Sequence, residues 1–283
     1  MAPMDRPDHI DGATALAFLA WQIELGADEA IADAPVDRYA LPDEPQPGTT
    51  ARRSESRAIP PGPPQALRDA PAARPPADQP DQTDPAEVAR GMAAAAASLA
   101  ALAETMAAFD LCELRRGARN FVFADGDARA RVMIVGEAPG REEDLEGRPF
   151  VGAAGQLLDR MLDAICLSRR HPTPERAVYI TNVLPWRPPA NRTPDAAEIA
   201  MFLPFLQRHV ELADPEVVVL MGNTPCQALL GRGGITRLRG QWTEVLGRPA
   251  LPMVHPAYLL RTPEAKREAW ADLLSLKARL EQG

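Results

Sequence analysis

The chain is poor in cysteine, in long apolar runs and in glycine-rich phosphate loops, and each shortage removes a class of protein. Its three cysteines, Cys112, Cys166 and Cys226, lie far apart in 283 residues, with no CxxC pair and no metal-ligand spacing. A disulfide scaffold is excluded, and reduced thiols in a cytoplasmic protein are expected. The longest unbroken apolar stretch, Ala15–Trp21, is too short to span a bilayer. The opening MAPMDRPDHI lacks the basic start and apolar run of a signal peptide, so no membrane partner is expected. Neither a GxxxxGK[ST] loop nor a GxGxxG fingerprint occurs, which disfavours nucleoside-triphosphate and dinucleotide chemistry.

What is abundant is unevenly placed. Half of the 30 prolines fall within residues 1–90, and so does the whole of the net charge of −8. The remaining two-thirds is neutral, so the overall acidity is no argument against a nucleic-acid partner there. Residues 1–34 carry one short helical pattern over 12–31, with Leu16, Leu19, Trp21, Ile23 and Leu25 loosely on one face. Residues 35–89 are rich in Pro, Asp, Arg and Ala. Such a segment cannot bury enough apolar surface to offset its ordering entropy, and a disordered tether is expected. Strong helix formers return over 90–109 and open a domain that runs to residue 283.

Within that domain short apolar runs alternate with helical patterns. RVMIVG, VYITNV, EVVVLMG and PMVH read as four strands, and the segments between and after them have helical spacing. Strands that are apolar throughout, rather than alternating, are buried on both faces. The expected fold is therefore α/β: one domain with a central, mainly parallel four-stranded sheet and helices on both sides.

Ligands of such sheets bind beyond the carboxyl ends of the strands. Past the first strand stands Gly136-Glu137-Ala138-Pro139-Gly140, at the end of the second Asn182, after the third Gly222-Asn223-Thr224, and after the fourth His255. Singly, a Glu in a loop, an Asn at a strand end and a lone His each have an ordinary structural explanation. A carboxylate, a carboxamide and an imidazole from three strand ends on one rim point instead to a site. Phe150, set among glycines beside the Glu137 loop, suits an aromatic lid over a planar ligand.

The stretches GEAPGREEDLEGRPFVGAAGQLLDRML, YITNVLPWRPPANRTP, VVVLMG and VHPAYLLRTP resemble the family-4 uracil-DNA glycosylases in order and spacing, from about Leu111 to the C-terminus. The resemblance implies a hydrolase that removes uracil from uracil-containing DNA and leaves an abasic site, with the nucleotide flipped out of the stack. It implies that backbone groups of Gly136, Glu137 and Ala138 line the pocket, that Phe150 stacks on the base and that Asn182 reads its edge. The Asn182 amide can donate to uracil O4 and accept from N3–H, a pattern that cytosine reverses at C4. His255 would stabilise charge on O2. Glu137, with Asp144 as its rival, would orient water or stabilise the sugar cation. Leu259, Leu260 and Arg261 would wedge into the duplex, and Arg187, Arg192 and Arg261 would contact phosphates.

The chain departs from that family at the iron–sulfur cluster, which needs four thiolates. The motifs place Phe109, Cys112, Trp186 and Phe202 at the four ligand positions, so only Cys112 remains and no 4Fe–4S cofactor or other metal is expected. The three aromatic side chains are expected to pack around Cys112 instead. PWRPPANRTP also lacks the inserted basic, histidine-containing loop of a related branch that links covalently to DNA, so ordinary turnover is expected.

Other readings stay open on the sequence. A weak or inactive glycosylase-fold accessory protein of replication or repair is favoured by the lost cysteines and opposed by the intact Glu137, Asn182 and His255. The same scaffold could serve another lesion such as hypoxanthine, and an unrelated nucleotide-metabolising enzyme would require an accidental match. The N-terminal extension is expected either to recruit a protein partner or to stay disordered, and the protein is expected to be a monomer.

Overall fold

A computed structural model describes residues 84–282. The helical pattern at 12–31 and nearly all of the tether lie outside the described residues. Six strands form one sheet: β1 (Ala124–Gly126), β2 (Val132–Gly136), β3 (Val178–Asn182), β4 (Val217–Met221), β5 (Thr243–Val245) and β6 (Arg248–Met253), in the order β1-β3-β2-β4-β6-β5. β2, β3, β4 and β6 are parallel neighbours, with Ile134 opposite Ile180 and Val219. They are the four strands expected from the apolar runs. β1 and β5 add short antiparallel edges. Each is three residues long and has no apolar run to announce it.

Side chains alternate across the sheet, and both sides are apolar. Met133, Val135, Val218 and Leu220 join one core; Val132, Ile134, Val217 and Val219 join the other. Each such fully buried side chain contributes about 1.5–3 kcal/mol. The helices are α1 (Pro85–Ala95), α2 (Leu99–Ala108), α3 (Leu114–Gly117), α4 (Arg141–Glu146), α5 (Ala153–Asp163), α6 (Ala196–Ala213), α7 (Asn223–Leu230), α8 (Ile235–Leu238), α9 (Pro256–Arg261) and α10 (Lys266–Gln282). α1, α2 and α6 supply Ala89, Leu102 and Phe205 to the first core, and α5 and α10 supply Leu158 and Leu273 to the second. Helices thus cover both faces.

Three boundaries differ from the sequence reading. α1 begins at Pro85, inside the stretch read as tether, because Asp84 caps it by accepting from the Ala86 N–H at 3.0 Å. The helix former-rich run 90–109 is broken into two helices at Ala96–Ser98. Arg208 of α6 donates to the Ala96 carbonyl at 2.9 and 3.0 Å, and the Ser98 hydroxyl accepts from the Ala101 N–H to start α2. An alanine-rich run favours helix everywhere and so cannot mark where it stops. The fourth strand ends at Met253, which leaves Val254 and His255 beyond the sheet rather than in it.

Candidate functional site

The carboxyl ends of β2, β3, β4 and β6 open into one cavity of about 570 Å³. Glu137, Ala138, Phe150, Asn182, Arg192, His255 and Arg261 all line it. The polar groups read from three separate strand ends therefore share a single space.

Local geometry brings them there. Gly136 ends β2 where a Cβ would stand 2.4 Å from the Asn182 Oδ1 and 2.6 Å from the Phe150 ring. Only glycine lets the carboxamide and the ring approach the strand so closely. Asn182 closes β3, is 6% exposed and makes no hydrogen bond through its side chain among the described residues, so its donor and acceptor remain free for whatever fills the cavity. The Phe150 and His255 rings lie 5.3 Å apart at 27°.

His255 is the N-cap of α9, and its Nδ1 accepts from the Ala257 N–H at 3.2 Å. Burial is the main force that lowers its pKa, to about 4; Arg261 adds to this and Glu143 opposes it. The ring is neutral at pH 7, and because Nδ1 accepts, the proton sits on Nε2. Glu137 is held by the buried hydroxyl of Thr224, which donates to its Oε2. Thr224 follows β4, so a fourth strand end takes part.

Asp144 and Leu259 sit elsewhere than expected, and Arg187 and Arg192 are engaged by neighbouring side chains. Asp144 does not line the cavity: its Oδ1 accepts from the backbone N–H groups of Arg119 and Asn120 at 2.8 and 3.1 Å, tying α4 to the chain after α3. Successive helical residues point about 100° apart, and it is Glu143 that faces inward. Glu143 accepts from the N–H groups of Gly140, Val151 and Gly152. Leu259 is 1% exposed and packs with Leu157, Val254 and Ala269, so it is core rather than wedge; Leu260 beside it is 44% exposed. Arg187 does not line the cavity and donates to Asn191 at 2.7 Å. Arg192 lines it but is paired with Glu198.

The residues to which sequence reasoning gave no role are Glu143 and Thr224. Glu143 carried a signal, being three residues after the N-cap Gly140, the place where a glutamate reaches back to a helix start. Thr224 stands just past a strand end, which placed it on the rim, but its bond to Glu137 spans 87 residues and only the tertiary fold supplies it.

The four positions at which the resemblance puts cluster ligands hold one thiol and three rings. Phe202 meets Phe109 edge-on at 5.7 Å and Trp186 at 5.5 Å, and Phe205 meets Phe109 at 5.4 Å. These rings and Cys112 belong to one buried cluster, and burial pushes the Cys112 thiol up. The three rings expected at these positions are thus buried and pack through Phe202, in the same core as Cys112. A cluster held by four thiolates does not fit here, since three of its four anchor positions hold aromatic side chains and only Cys112 offers sulfur. Among the described residues no three His, Cys, Asp or Glu side chains gather as a metal site, and no helix is long and apolar enough to cross a membrane.

Comparison with known proteins agrees with this geometry. The family model described as the Uracil DNA glycosylase superfamily matches residues 123–274. A type-4 uracil-DNA glycosylase of Archaeoglobus fulgidus is 39% identical over 170 residues, covering 57% of this chain and 82% of that protein. The type-4 enzyme of Thermotoga maritima is 38% identical over 59% of this chain and 86% of its own length. That of Sulfurisphaera tokodaii is 36% identical over 60% and 79%. The chain belongs to the uracil-DNA glycosylase superfamily.

Proposed function

We propose that this protein hydrolyses the N-glycosidic bond of uracil in DNA and leaves an abasic site. The observation that carries the reading is the convergence of Glu137, Phe150, Asn182 and His255 on one cavity at the strand ends. Relatives that are type-4 uracil-DNA glycosylases support it.

In this reading the flipped uracil lies against the Phe150 ring. The Asn182 amide donates to O4 and accepts from N3–H. As the C1′–N1 bond breaks, its electron pair passes to the base, and the neutral His255 donates from Nε2 to the charge that gathers on O2. Water adds its oxygen to C1′, and the proton it releases neutralises the departed uracil anion, so the products are uracil and an abasic sugar with a C1′ hydroxyl. Glu137, steadied by Thr224, faces the sugar side, where its negative charge stabilises the cation-like C1′ and orients that water. Arg261 at the rim would contact phosphate, and Leu260 would enter the stack at the vacated position.

We infer that the aromatic cluster of Phe109, Trp186, Phe202 and Phe205 supplies the packing that the family resemblance would assign to an iron–sulfur centre.

Alkaline cleavage of an oligonucleotide with one uracil tests the activity. Purified protein should leave an alkali-sensitive site at uracil and none at cytosine or thymine in the same context. No cleavage at uracil in single- or double-stranded DNA would overturn the reading.

A further inference from the structure

One cation in the domain is almost wholly buried and has no part in the chemistry above. The Arg169 side chain is 5% exposed and lies in the segment between α5 and β3. It donates to the carbonyls of Pro149 and Phe150 at 2.8 and 2.9 Å, to Asp125 of β1 at 3.0 Å and to Asp159 of α5 at 2.8 Å. A guanidinium with this many directed bonds is a fixed fork, which an ammonium cannot imitate.

What the fork holds is unusual. Phe150 has φ +55°, a left-handed conformation that a bulky residue adopts only when its surroundings impose it. Those surroundings close on the peptide from every side. Arg169 takes the carbonyls of 149 and 150. The Glu143 carboxylate takes the N–H groups of Val151 and Gly152 at 2.9 and 3.0 Å. Gly155 of α5 comes so near that a Cβ there would stand 1.8 Å from the Phe150 carbonyl oxygen. The side chain that results from this backbone is the ring beside His255 in the cavity.

We propose that Arg169 is a positioning residue for catalysis: it holds the Phe150 backbone in its left-handed conformation, and so fixes the ring against which the flipped base stacks. Asp125 and Asp159 complete the device by neutralising and aiming the guanidinium. A purely structural staple would need only the bonds to those two carboxylates. The bonds to two consecutive carbonyls, one of them that of Phe150 itself, aim the device at the ring. The proposal rests on the reading that Phe150 stacks on uracil.

The test is a cycle of wild type, Phe150→Ala, Arg169→Lys and the double variant. Each is checked for folding by near-ultraviolet circular dichroism and assayed for single-turnover uracil release and for inhibition by free uracil. Lysine keeps the charge and loses the fork. Arg169→Lys should lower the rate, and weaken inhibition by uracil, by about ten- to a hundredfold, the scale of a small misplacement of a substrate-binding group. In the Phe150→Ala background it should change neither. Gly155→Ala, which presses on the same carbonyl from the other side, should reproduce the pattern and serves if Arg169→Lys does not fold.

Equal losses in both backgrounds would overturn the proposal, because Arg169 would then act on the domain as a whole. So would an Arg169→Lys variant with wild-type rate and inhibition, which would leave the glycosylase function intact. If Phe150→Ala alone changes neither quantity, the stacking role fails and this proposal with it. A wild type that releases no uracil defeats the functional reading itself.

Discussion

The imidazole of His255 accepts a hydrogen bond at Nδ1 from the backbone N–H of Ala257, 3.2 Å away. One bond at a helix cap thus sets the chemistry of the other ring nitrogen. With Nδ1 accepting and burial holding the pKa near 4, Nε2 carries the only ring proton at neutral pH. A neutral donor loses nothing to deprotonation as charge develops on the base. His255→Ala should lower single-turnover uracil release roughly a hundred- to a thousandfold, the usual cost of removing a donor to a developing oxyanion. The wild-type rate should show no inflection near pH 6.5. An inflection there that vanishes in His255→Ala would mean that the charged ring is the donor.

Stability should follow pH through the same residue and through His209, whose pKa burial lowers to about 3. Both have folded pKa values below the unfolded value of 6.5. Between these values the unfolded chain binds more protons than the folded one. The stability they lend is therefore complete above pH 6.5 and is lost as pH falls from there toward 4 for His255 and toward 3 for His209. Each unit of separation is worth about 1.4 kcal/mol, so urea midpoints should drop markedly between pH 7 and pH 5. A flat profile across that window would contradict the buried neutral state.

Thr224→Val removes the hydroxyl that steadies Glu137 while keeping the side chain's shape. A hydrogen bond to a charged group is worth about 1.5 kcal/mol or more, so a rate loss of about tenfold is expected with little change in KM. Glu137→Gln should lose more. If Thr224→Val matches wild type while Glu137→Gln is impaired, the carboxylate is positioned by something else.

Asp144→Ala separates a structural carboxylate from a catalytic one. It frees two backbone N–H groups, and a loss of about 1–3 kcal/mol in urea unfolding is expected. Uracil release by the folded protein should stay near wild type. A large fall in rate without a fall in stability would return Asp144 to the site.

Phe202→Ala removes the ring on which both Phe109 and Trp186 pack, at an expected cost of about 3–5 kcal/mol. Wild-type protein purified under anaerobic, iron-replete conditions should contain neither iron nor acid-labile sulfide. Stoichiometric iron and sulfide would contradict the aromatic replacement.

How much of this was legible in the sequence depended on the range over which each residue acts. The four parallel strands were, because strands buried on both faces must be apolar without a break, as Val132–Val135 and Val217–Met221 are. The rim residues Glu137, Asn182 and His255 followed from the strand ends. β1 and β5 were not legible, since three residues such as Ala-Asp-Gly pair only because a neighbouring strand offers its edge. Nor was the phase of a short helix. Glu142, Glu143 and Asp144 look alike in sequence, and so do Leu259 and Leu260; which of each faces inward depends on where the helix begins. Arg169 reaches Phe150 across nineteen residues, a contact that only the tertiary fold supplies.

The most direct measurement is the base preference of Asn182→Asp. A carboxylate accepts where the amide donates, so it should pair with the cytosine amino group and repel uracil O4. On matched oligonucleotides the wild type should cut at uracil alone, and Asn182→Asp should lose most of that activity and gain cleavage at cytosine. A variant that keeps the wild-type preference, at whatever rate, would show that Asn182 does not read the base.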